Sequence, residues 1–446
     1  MTADFDPSLF HWTPQPIAAK YVQSKLDAAL TNSPWLGEFK SRLLGQTGTR
    51  LVDWLDHIVV DSTDGLADVG YEKHEGAWRH PLGLFPEIVV ASQETSLLPQ
   101  LAVKVDSVGT FLKTHEADFR FGQRVSGDDQ LRMAVVQFEG GSSLRVVERH
   151  GYRGLSKVAA DVPPAEPALE LFRNRPRPYG DAETGFEAAT DLFRKATDLV
   201  GRDRACDLFF QSEREYWQSK NQAARIQYDR QQSLGLGWAN HDHHTYRCSR
   251  VWFAPLVEFL ELAGFQCRER FYAGADAGWG AQVLEHPICG IVIFADVDMS
   301  EEEVVGDFAH HGLVETTDLG TVGLWCQLHG DSFLAAGMHH LECQFDFDAS
   351  RTQLAECGIA SMAPFTDFPY LKQAFTKGES WAVPKERLSA LVERGAIDQQ
   401  EADRMLAEGA IGSHLEILER NDGFKGFNQT GISQIILETN PANVAD

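Results

Sequence analysis

The stretch HDHHTYRCS at 241–249 has an earlier counterpart in the same chain, LDHIVVDS at 55–62. Three further pairs of similar segments follow in the same order: FPEIVVA (85–91) with CGIVIFAD (289–296), QLAVKVDSVGTFL (100–112) with HLECQFDFDASRTQL (340–354), and SSLRVVERHGYRGL (142–155) with SHLEILERNDGFKGF (413–427). Their apolar patterns are those of β-strands. The ordered set predicts a duplicated α+β protein in which each copy consists of paired βαβββ modules.

The duplication divides the 446-residue chain into three predicted parts. Residues 1–155 hold a helical lead-in and the first copy, and residues 236–446 hold the second. The part between them, 156–235, begins with the Pro-rich stretch DVPPAEPALELFRNRPRPYGD, which is typical of a linker, and continues as a charged helical segment. Residues 384–409 are predicted to form a helical insert, because a proline begins this stretch and glycines follow its two apolar-periodic runs.

The composition argues against several classes of function. A formal charge of −25 opposes binding to nucleic acid. No apolar run approaches the ~18–20 residues of a membrane-spanning helix, and the N-terminal MTADFDPSLFHW lacks the basic and apolar regions of an export signal. The seven cysteines include no CxxC pair, which disfavours a zinc ribbon or a secreted disulfide framework. We therefore expect a reduced, cytoplasmic protein without nucleic-acid or membrane partners, and its oligomeric state stays open.

The residue types best suited to binding a metal ion or an anionic substrate are concentrated in HHTYR. In a strand, successive side chains point to opposite faces, so His243, Thr245 and Arg247 share one face while His244 and Tyr246 share the other. A metal-binding histidine and a guanidinium would then line the same cavity. Arginine is suited to holding a carboxylate by two parallel hydrogen bonds.

Two other strand-like segments supply matching ligands. In MHHLECQFDFD, His340 and Glu342 share a face, and in SHLEILERND, His414 and Glu416 do so. One residue from each strand, His243, His340 and Glu416, makes a two-histidine, one-carboxylate set of the kind that binds Fe(II) with open positions. Glu342 is the competing carboxylate. Structural roles are expected for four other histidines, two in these segments and two in DFAHHGL: His244, His339, His310 and His311.

The first copy serves as an internal control for this assignment. It keeps His57 at the position of His243 but has Gln100 in place of His340 and Arg145 in place of Glu416, while Asp61 stands near the position of Arg247. A cation cannot replace a carboxylate in a metal shell, so the first copy is predicted to be a scaffold without a metal site. Glu419 and Arg420 are matched in the first copy by the pair Glu148–Arg149, and this match favours Glu416 over Glu419 as the ligand.

With these motifs, the region 240–440 resembles the 2-oxoadipate dioxygenase/decarboxylase family, also called 2-hydroxyglutarate synthases, of the vicinal oxygen chelate superfamily. The family has a histidine followed four residues later by a substrate-binding arginine, and His243 and Arg247 fit this spacing. HHLECQFDFD resembles the strand of the second histidine, His340, and LEILERND resembles the strand of the carboxylate, Glu416. Between these two strands this chain has FTDFPYLKQAF, and the family has a similar aromatic segment at the same place.

The resemblance implies vicinal-oxygen-chelate-like modules that form a curved mixed sheet or open barrel. It also implies an Fe(II) enzyme that uses O2 to convert a 2-oxo acid such as 2-oxoadipate to a shortened 2-hydroxy acid and CO2, with Arg247 holding a substrate carboxylate. The N-terminal half and the insert at 384–409 depart from the family pattern. Two alternatives remain: a redox-neutral metal-dependent isomerase, hydrolase or lyase, and a binding protein without catalytic activity.

Overall fold

The structure is a computed structural model that describes residues 11–91, 100–119, 124–139, 141–156, 162–177, 181–428 and 440–441. Two helices lead into the first sheet, α1 (Pro16–Thr31) and α2 (Pro34–Arg42). Each has a proline in its first turn, where the missing amide proton costs no hydrogen bond. The predicted helical lead-in is therefore present. No helix in the described part of the chain has the length and apolar character that crossing a membrane requires.

The first copy is a mixed sheet with one helix. Its elements are β1 (Leu55–Val60), β2 (Glu72–His74), β3 (Ala77–Arg79), β4 (Glu87–Val90), β5 (Leu101–Lys104), α3 (Val108–Thr114), β6 (Arg124–Gly127), β7 (Leu131–Gln137) and β8 (Ser143–Arg149). Within the described residues the strand order is β2-β3-β4-β1-β5-β8-β7-β6. The central pairs β1–β4 and β5–β8 are parallel, whereas β1 and β5 are antiparallel.

A helical segment separates the two sheets. It contains α4 (Glu166–Arg173), α5 (Ala182–Val200), α6 (Arg202–Ser219) and α7 (Gln222–Gln232). The Pro-rich stretch predicted as a linker thus already contains α4, because an apolar face formed by Ala168, Leu169 and Phe172 packs into the core. Aromatic residues of α5 and α6 share that core with Tyr246 and Leu415 of the second sheet. The helices therefore cover one face of that sheet.

The second copy repeats the first with additional helices. Its strands are β9 (His241–Arg247), β10 (Gln266–Tyr272), β11 (Trp279–Glu285), β12 (Val292–Asp298), β13 (His340–Gln344), β14 (Thr366–Phe368), β15 (Leu371–Phe375), β16 (Glu379–Trp381) and β17 (Ala410–Arg420). Its helices are α8 (Phe253–Leu262), α9 (Glu301–Val305), α10 (Phe308–His311), α11 (Thr321–His329), α12 (Phe347–Glu356), α13 (Lys385–Glu393) and α14 (Gln399–Glu408). The strand order is β10-β11-β12-β9-β13-β17-β15-β14, and β16 pairs with β17.

The two strand orders are the same once β9 is equated with β1, β13 with β5 and β17 with β8. All four sequence matches fall on equivalent strands, and parallel and antiparallel pairs correspond. The predicted α+β class and duplication are confirmed, and each sheet curls into a half-barrel. Within the described residues, the second and third modules are βαβββ. Turns occupy 64–70 in place of the helix of the first module, and the fourth module adds β16, α13 and α14 before its last strand. Helices α13 and α14 lie in the predicted insert; the boundaries at 155 and 235 stay predictions.

A β-bulge recurs at the same place in both sheets. Opposite β5, the register of β1 shifts by one residue between Leu55 and His57. Opposite β13, the register of β9 shifts in the same way between His241 and His243. The extra residue is an aspartate each time, Asp56 or Asp242. A bulge changes where side chains point, and here it brings a carboxylate beside the following histidine ring.

Candidate metal centre

Three adjacent strands bring the candidate ligands together. In the ladder β9–β13–β17, His243 pairs with Glu342, and Glu342 pairs with Glu416. Ligand atoms of these three residues lie within 4.8 Å of one another, and all three residues are buried. His340 adds a fourth group, because its Nε2 lies 3.2 Å from Glu342 Oε1 and 3.5 Å from Glu416 Oε2. All three predicted ligands and the competing Glu342 therefore surround one point.

His243 is oriented by the bulge residue. Its Nδ1 lies 2.9 Å from Asp242 Oδ1. A carboxylate only accepts, so Nδ1 carries the proton and Nε2 presents a lone pair to the cluster. Arg420 holds the carboxylate from the other side through Nε and Nη2, at 2.9 and 3.0 Å. Burial alone would raise the pKa of Asp242, but Arg420 and His243 keep it well below its usual range.

The carboxylate of Glu416 is also fixed at one oxygen. Gln373 Nε2 donates to Oε1 at 2.8 Å, which leaves Oε2 facing His340. Burial raises the pKa of Glu416 to about 8 and lowers the pKa of His243 to about 4. Burial also places the pKa of His340 well below its usual value. The two rings are thus neutral at neutral pH, which is the form of histidine that binds metals.

Glu342 occupies a more central position than the sequence suggested. One of its oxygens contacts His243 Nε2, and the other lies 3.2 Å from His340 Nε2. The carboxylate therefore lies between the two histidines. Strand periodicity placed Glu342 and Glu416 on the same face of their own strands, but it could not show that parallel pairing makes them direct neighbours.

This donor set fits a divalent metal ion. Imidazole nitrogen and carboxylate oxygen together suit Fe(II), Mn(II) and Zn(II). The side-by-side carboxylates of Glu342 and Glu416 are buried, and two such groups without a neighbouring positive charge are costly to ionise. A bound cation would remove that cost. Among the described residues, His340 Nδ1 is a further buried atom without a hydrogen-bond partner.

Arg247 lies on the same strand face as His243, four residues further along β9. At ~3.3 Å per residue their Cα atoms are about 13 Å apart, a separation that a ligand several carbon atoms long would span. The Arg247 side chain is buried, and its Nε and Nη1 have no hydrogen-bond partner within the described residues. Its guanidinium carbon lies 5.7 Å from the centre of the Trp325 ring. Burial lowers the pKa of Arg247. The geometry suits a guanidinium that receives an anionic group.

Asp296, which the sequence did not single out, stands opposite Arg247 on β12. Burial raises its pKa to about 8, and the charge of Arg247 only partly opposes this rise. Its Oδ1 is also without a hydrogen-bond partner in the described part of the chain. A neutral Asp296 leaves the positive charge of Arg247 uncancelled, which favours an anionic ligand.

The histidines expected to be structural lie outside the cluster. His244 points to the other face of β9, where Arg214 Nη1 lies 3.2 Å from its Nε2. His339 Nδ1 lies 3.1 Å from the carbonyl oxygen of Gly412. His310 is exposed near Asp307, at 2.9 Å. Glu419 likewise accepts from the backbone amide of Phe347, at the start of α12.

The first copy shows a different arrangement around the equivalent histidine. His57 Nδ1 lies 2.6 Å from Asp56 Oδ2, and Arg149 holds Asp56 through Nε and Nη2 at 2.7 and 2.9 Å. In the sheet, Ala102 and Arg145 take the positions of Glu342 and Glu416. Arg145 Nη1 lies 3.5 Å from His57 Nε2. The alignment of Arg145 with Glu416 is correct.

The sequence prediction missed the aspartate–arginine clamp around each histidine. The available signal was the dipeptide Asp-His, which occurs at 56–57 and at 242–243. The match of Arg149 with Arg420 has a structural reason, because both arginines hold the bulge aspartate. Each also donates to two carbonyl oxygens of the following loop, which for Arg420 belong to Phe424 and Gly426.

Comparisons with known proteins give only distant likenesses. No protein-family model matches the chain, and no curated protein sequence matches it. A mutant of 4-hydroxymandelate synthase from Streptomyces coelicolor is similar over 87% of this chain and 97% of its own, at 13% identity and a TM-score of 0.28. Methylmalonyl-CoA epimerase from Mycobacterium tuberculosis is similar over 41% and 88%, at 12% identity and 0.24. The uncharacterized protein YdcJ from Shigella flexneri is similar over 63% and 84%, at 13% identity and 0.26. Such low TM-scores carry no functional argument.

Proposed function

We propose that this chain is a mononuclear Fe(II)-dependent dioxygenase/decarboxylase. Its substrate is a 2-oxo dicarboxylic acid such as 2-oxoadipate, which reacts with O2 to give CO2 and a 2-hydroxy acid one carbon shorter. The observation that carries the proposal is the pairing of two buried features on one sheet face. One is the cluster of His243, His340 and Glu416, and the other is the guanidinium of Arg247, whose Nε and Nη1 have no hydrogen-bond partner among the described residues.

The ligand count supports this class of reaction. Two histidines and one carboxylate leave about three positions on a six-coordinate metal, enough for a 2-oxo acid that binds through two oxygens and for O2. When bound, Fe(II) supplies the electrons that activate O2. The protein fixes the open positions: Asp242 sets the tautomer of His243, and Gln373 fixes one oxygen of Glu416.

Arg247 supplies the substrate specificity in this proposal. A dicarboxylate has one acid group for the metal and a second for the guanidinium, and a buried arginine is strongly stabilised by such a partner. Trp325 flanks the guanidinium and restricts its movement. Burial keeps bulk water away from both features, since the cluster residues and Arg247 are all nearly fully buried.

Glu342 favours a second candidate function. If it stays between His243 and His340 as a fourth ligand, about two positions remain on the metal. That number suits a substrate bound through two oxygens but not additional O2. A redox-neutral isomerase, hydrolase or lyase would follow, with the metal acting as a Lewis acid.

The test begins with protein purified and reconstituted with Fe(II) under anaerobic conditions. It is mixed with a series of 2-oxo dicarboxylates of increasing length, and O2 is then admitted. The proposal predicts no product before O2 and equal amounts of CO2 released and O2 consumed afterwards. Product formed without O2 would instead support the redox-neutral function. If the protein binds no metal and converts none of these substrates, the result would favour a binding protein without catalytic activity.

The variant Glu342→Gln separates the two candidates further. If Glu342 is not a ligand of the active state, the variant keeps its iron and its O2-dependent turnover. If Glu342 is a ligand, both metal affinity and turnover fall together. Glu419→Gln is the matched control, because Glu419 bonds to the backbone of α12 and not to the cluster.

A further inference from the structure

A second group of reactive side chains lies outside the candidate metal centre. Cys206 of α6, His286 and Cys289 place a sulfur or nitrogen atom each within 4.8 Å of one another. The two latter residues belong to the turn between β11 and β12, more than 70 residues along the chain from Cys206. Cys206 is fully buried, whereas Cys289 is partly exposed and lines a cavity of about 1330 Å³ between the two copies.

The hydrogen bonds of His286 argue against a metal site at this place. Its Nδ1 accepts from the backbone amides of Ile288 and Cys289, at 3.2 and 3.1 Å. Its Nε2 therefore carries the proton and donates to the carbonyl oxygen of Ala263 at 3.1 Å. Both ring nitrogens are thus engaged with the backbone. The remaining functional pair is the dithiol of Cys206 and Cys289.

The two thiols are not equivalent. Cys289 Sγ lies 3.2 Å from the carbonyl oxygen of Asp203 and donates to it. Burial opposes ionisation of Cys206, but its contacts with Cys289 and His286 lower its pKa. The contact with Cys206, together with burial, raises the pKa of Cys289. The pair thus has an accessible sulfur at the cavity wall and a thiolate-favouring sulfur behind it.

We infer that Cys206 and Cys289 form a reversible thiol–disulfide site whose oxidant is a small-molecule disulfide. A disulfide needs its sulfurs at about 2.05 Å, so the two atoms must approach by less than ~3 Å. Cys289 lies in a turn, next to Gly290 with φ +68°, and not in a regular element. The closing movement therefore falls on the turn and leaves α6 in place.

The chemistry proceeds in two balanced steps. The Cys206 thiolate takes the Cys289 proton while Cys289 attacks one sulfur of the oxidant, so that a mixed disulfide forms and a first small thiolate leaves and is protonated by solvent. Cys206 then attacks the Cys289 sulfur, closes the internal disulfide and passes its proton to the second small thiol, which leaves. Two protein thiols are oxidised, and one small disulfide is reduced to two thiols.

The bond would fasten α6 to the catalytic sheet. This helix contacts two of the three ligand-bearing strands, since Arg214 meets His244 on β9 and Trp217 Nε1 donates to Ser413 on β17 at 2.8 Å. A crosslink that closes a long loop stabilises the folded state mainly by restricting the unfolded chain. We therefore expect the oxidised protein to melt at a higher temperature than the reduced protein.

The test treats the full-length protein with oxidised glutathione, blocks the remaining thiols by alkylation and maps the peptides without reduction. The expected product is a peptide pair joined through Cys206 and Cys289, which disappears after reduction. Cys206→Ser should stop at the mixed disulfide, with glutathione on Cys289. Cys289→Ser should leave Cys206 unmodified, because that side chain is buried. Cys357→Ser is the matched control, since Cys357 is exposed and outside the pair, and it should behave as wild type.

If a variant fails to fold, the peptide map of the oxidised wild-type protein is sufficient to test the inference. Separate, fully alkylated peptides of Cys206 and Cys289 after oxidation would overturn the inference. So would a stoichiometric zinc or copper ion in purified protein that protects both thiols from alkylation until a chelator removes it. An increase in melting temperature that is abolished in both serine variants would support it.

Discussion

The two copies build the same clamp around a strand histidine but place different groups at the free nitrogen of that histidine. In the first copy, Asp56 and Arg149 orient His57, and Arg145 approaches its Nε2. In the second copy, Asp242 and Arg420 orient His243, and carboxylates approach its Nε2. The clamp thus belongs to the duplicated fold. The copies differ at the two positions held by Ala102 and Arg145 in one copy and by Glu342 and Glu416 in the other, and we predict that these positions decide whether a cation binds.

This difference also explains why the first copy tolerates its arginine. The guanidinium of Arg145 supplies a positive charge beside the His57 ring, so no bound cation is required there. The second copy instead concentrates negative charge at the same point, which burial makes unfavourable until a cation binds. The same strands and bulges therefore carry a cluster of carboxylates in one copy and a guanidinium in the other.

The largest expected effect comes from giving the second copy the residues of the first. The double variant Glu342→Ala, Glu416→Arg replaces two carboxylates with a methyl group and a cation. We expect its metal content to fall to background while circular dichroism shows a folded protein. Arg145→Glu in the first copy is the control, and it should not create a second metal site because Ala102 and Gln100 supply no further ligand. Full metal occupancy in the double variant would show that the ligands lie elsewhere.

A smaller but still large effect is expected at Arg247. Removing a charge-assisted contact to a buried carboxylate costs roughly 2–5 kcal/mol, or about 30- to several-thousand-fold in kcat/KM. Arg247→Met should keep its iron and lose activity on 2-oxo dicarboxylates to this extent. Arg247→Lys should recover only part of the activity, because a point charge replaces a planar fork. Wild-type efficiency in Arg247→Met would place the substrate carboxylate elsewhere.

The paired bulge aspartates allow a matched comparison. Asp242→Ala removes the acceptor that orients His243, and loss of such a partner typically lowers metal affinity by about 10- to 100-fold. It also leaves Arg420 buried without its carboxylate, at a cost of roughly 3–5 kcal/mol of stability. Asp56→Ala should lose comparable stability through Arg149 but retain wild-type metal affinity. Metal titration of both variants measures the affinities, and urea denaturation measures the stabilities. Equal losses of metal affinity in the two variants would contradict this prediction.

The smallest effect on the candidate metal centre is expected from His150, a residue of the first copy that should make the stability of the protein depend on pH. His150 follows Arg149, where the second copy has Asn421. Its ring lies 2.8 Å from Asp207 Oδ2 and 3.2 Å from Glu148 Oε1. Burial opposes the charge, but the two carboxylates raise the pKa of His150 to about 10.

Because this folded-state pKa is raised, the stabilisation is complete below the unfolded value of ~6.5 and is lost as pH rises towards about 10. Within that window the folded state holds a proton that the unfolded state has released, so the free energy of unfolding should fall by up to ~1.4 kcal/mol per pH unit. His150→Asn should reduce this slope. The slope is measured by urea denaturation at several pH values across the window. An unchanged slope in the variant would mean that groups other than His150 cause the pH dependence.

Much of the fold could be predicted from the sequence because its main determinant is local and repeated. Four ordered segment matches fixed which strands are equivalent, and strand periodicity put His243 and Arg247 on one face. The register between neighbouring strands could not be predicted from segment matches and strand periodicity. The parallel register that sets Glu342 beside Glu416 depends on pairing between residues more than 70 positions apart.

The bulges escaped prediction for a related reason. An extra residue in a strand is defined only against its partner, so the positions of Asp56 and Asp242 beside their histidines require the sheet. The proximity of Cys206 to Cys289 likewise arises from packing of a helix against a distant turn. The helix within the Pro-rich stretch was missed because its prolines dominate the local signal, whereas its apolar face is stabilised by the core.

The central claim is that one metal ion binds in the second copy and none in the first, and metal stoichiometry in matched variants tests it most directly. Elemental analysis of anaerobically reconstituted protein should give one iron per chain for the wild type. His57→Ala should retain that iron, whereas His243→Ala and His340→Ala should lose it while remaining folded. Loss of iron from His57→Ala to the same extent as from His243→Ala would contradict the account, because the ligands would then be shared between the two copies.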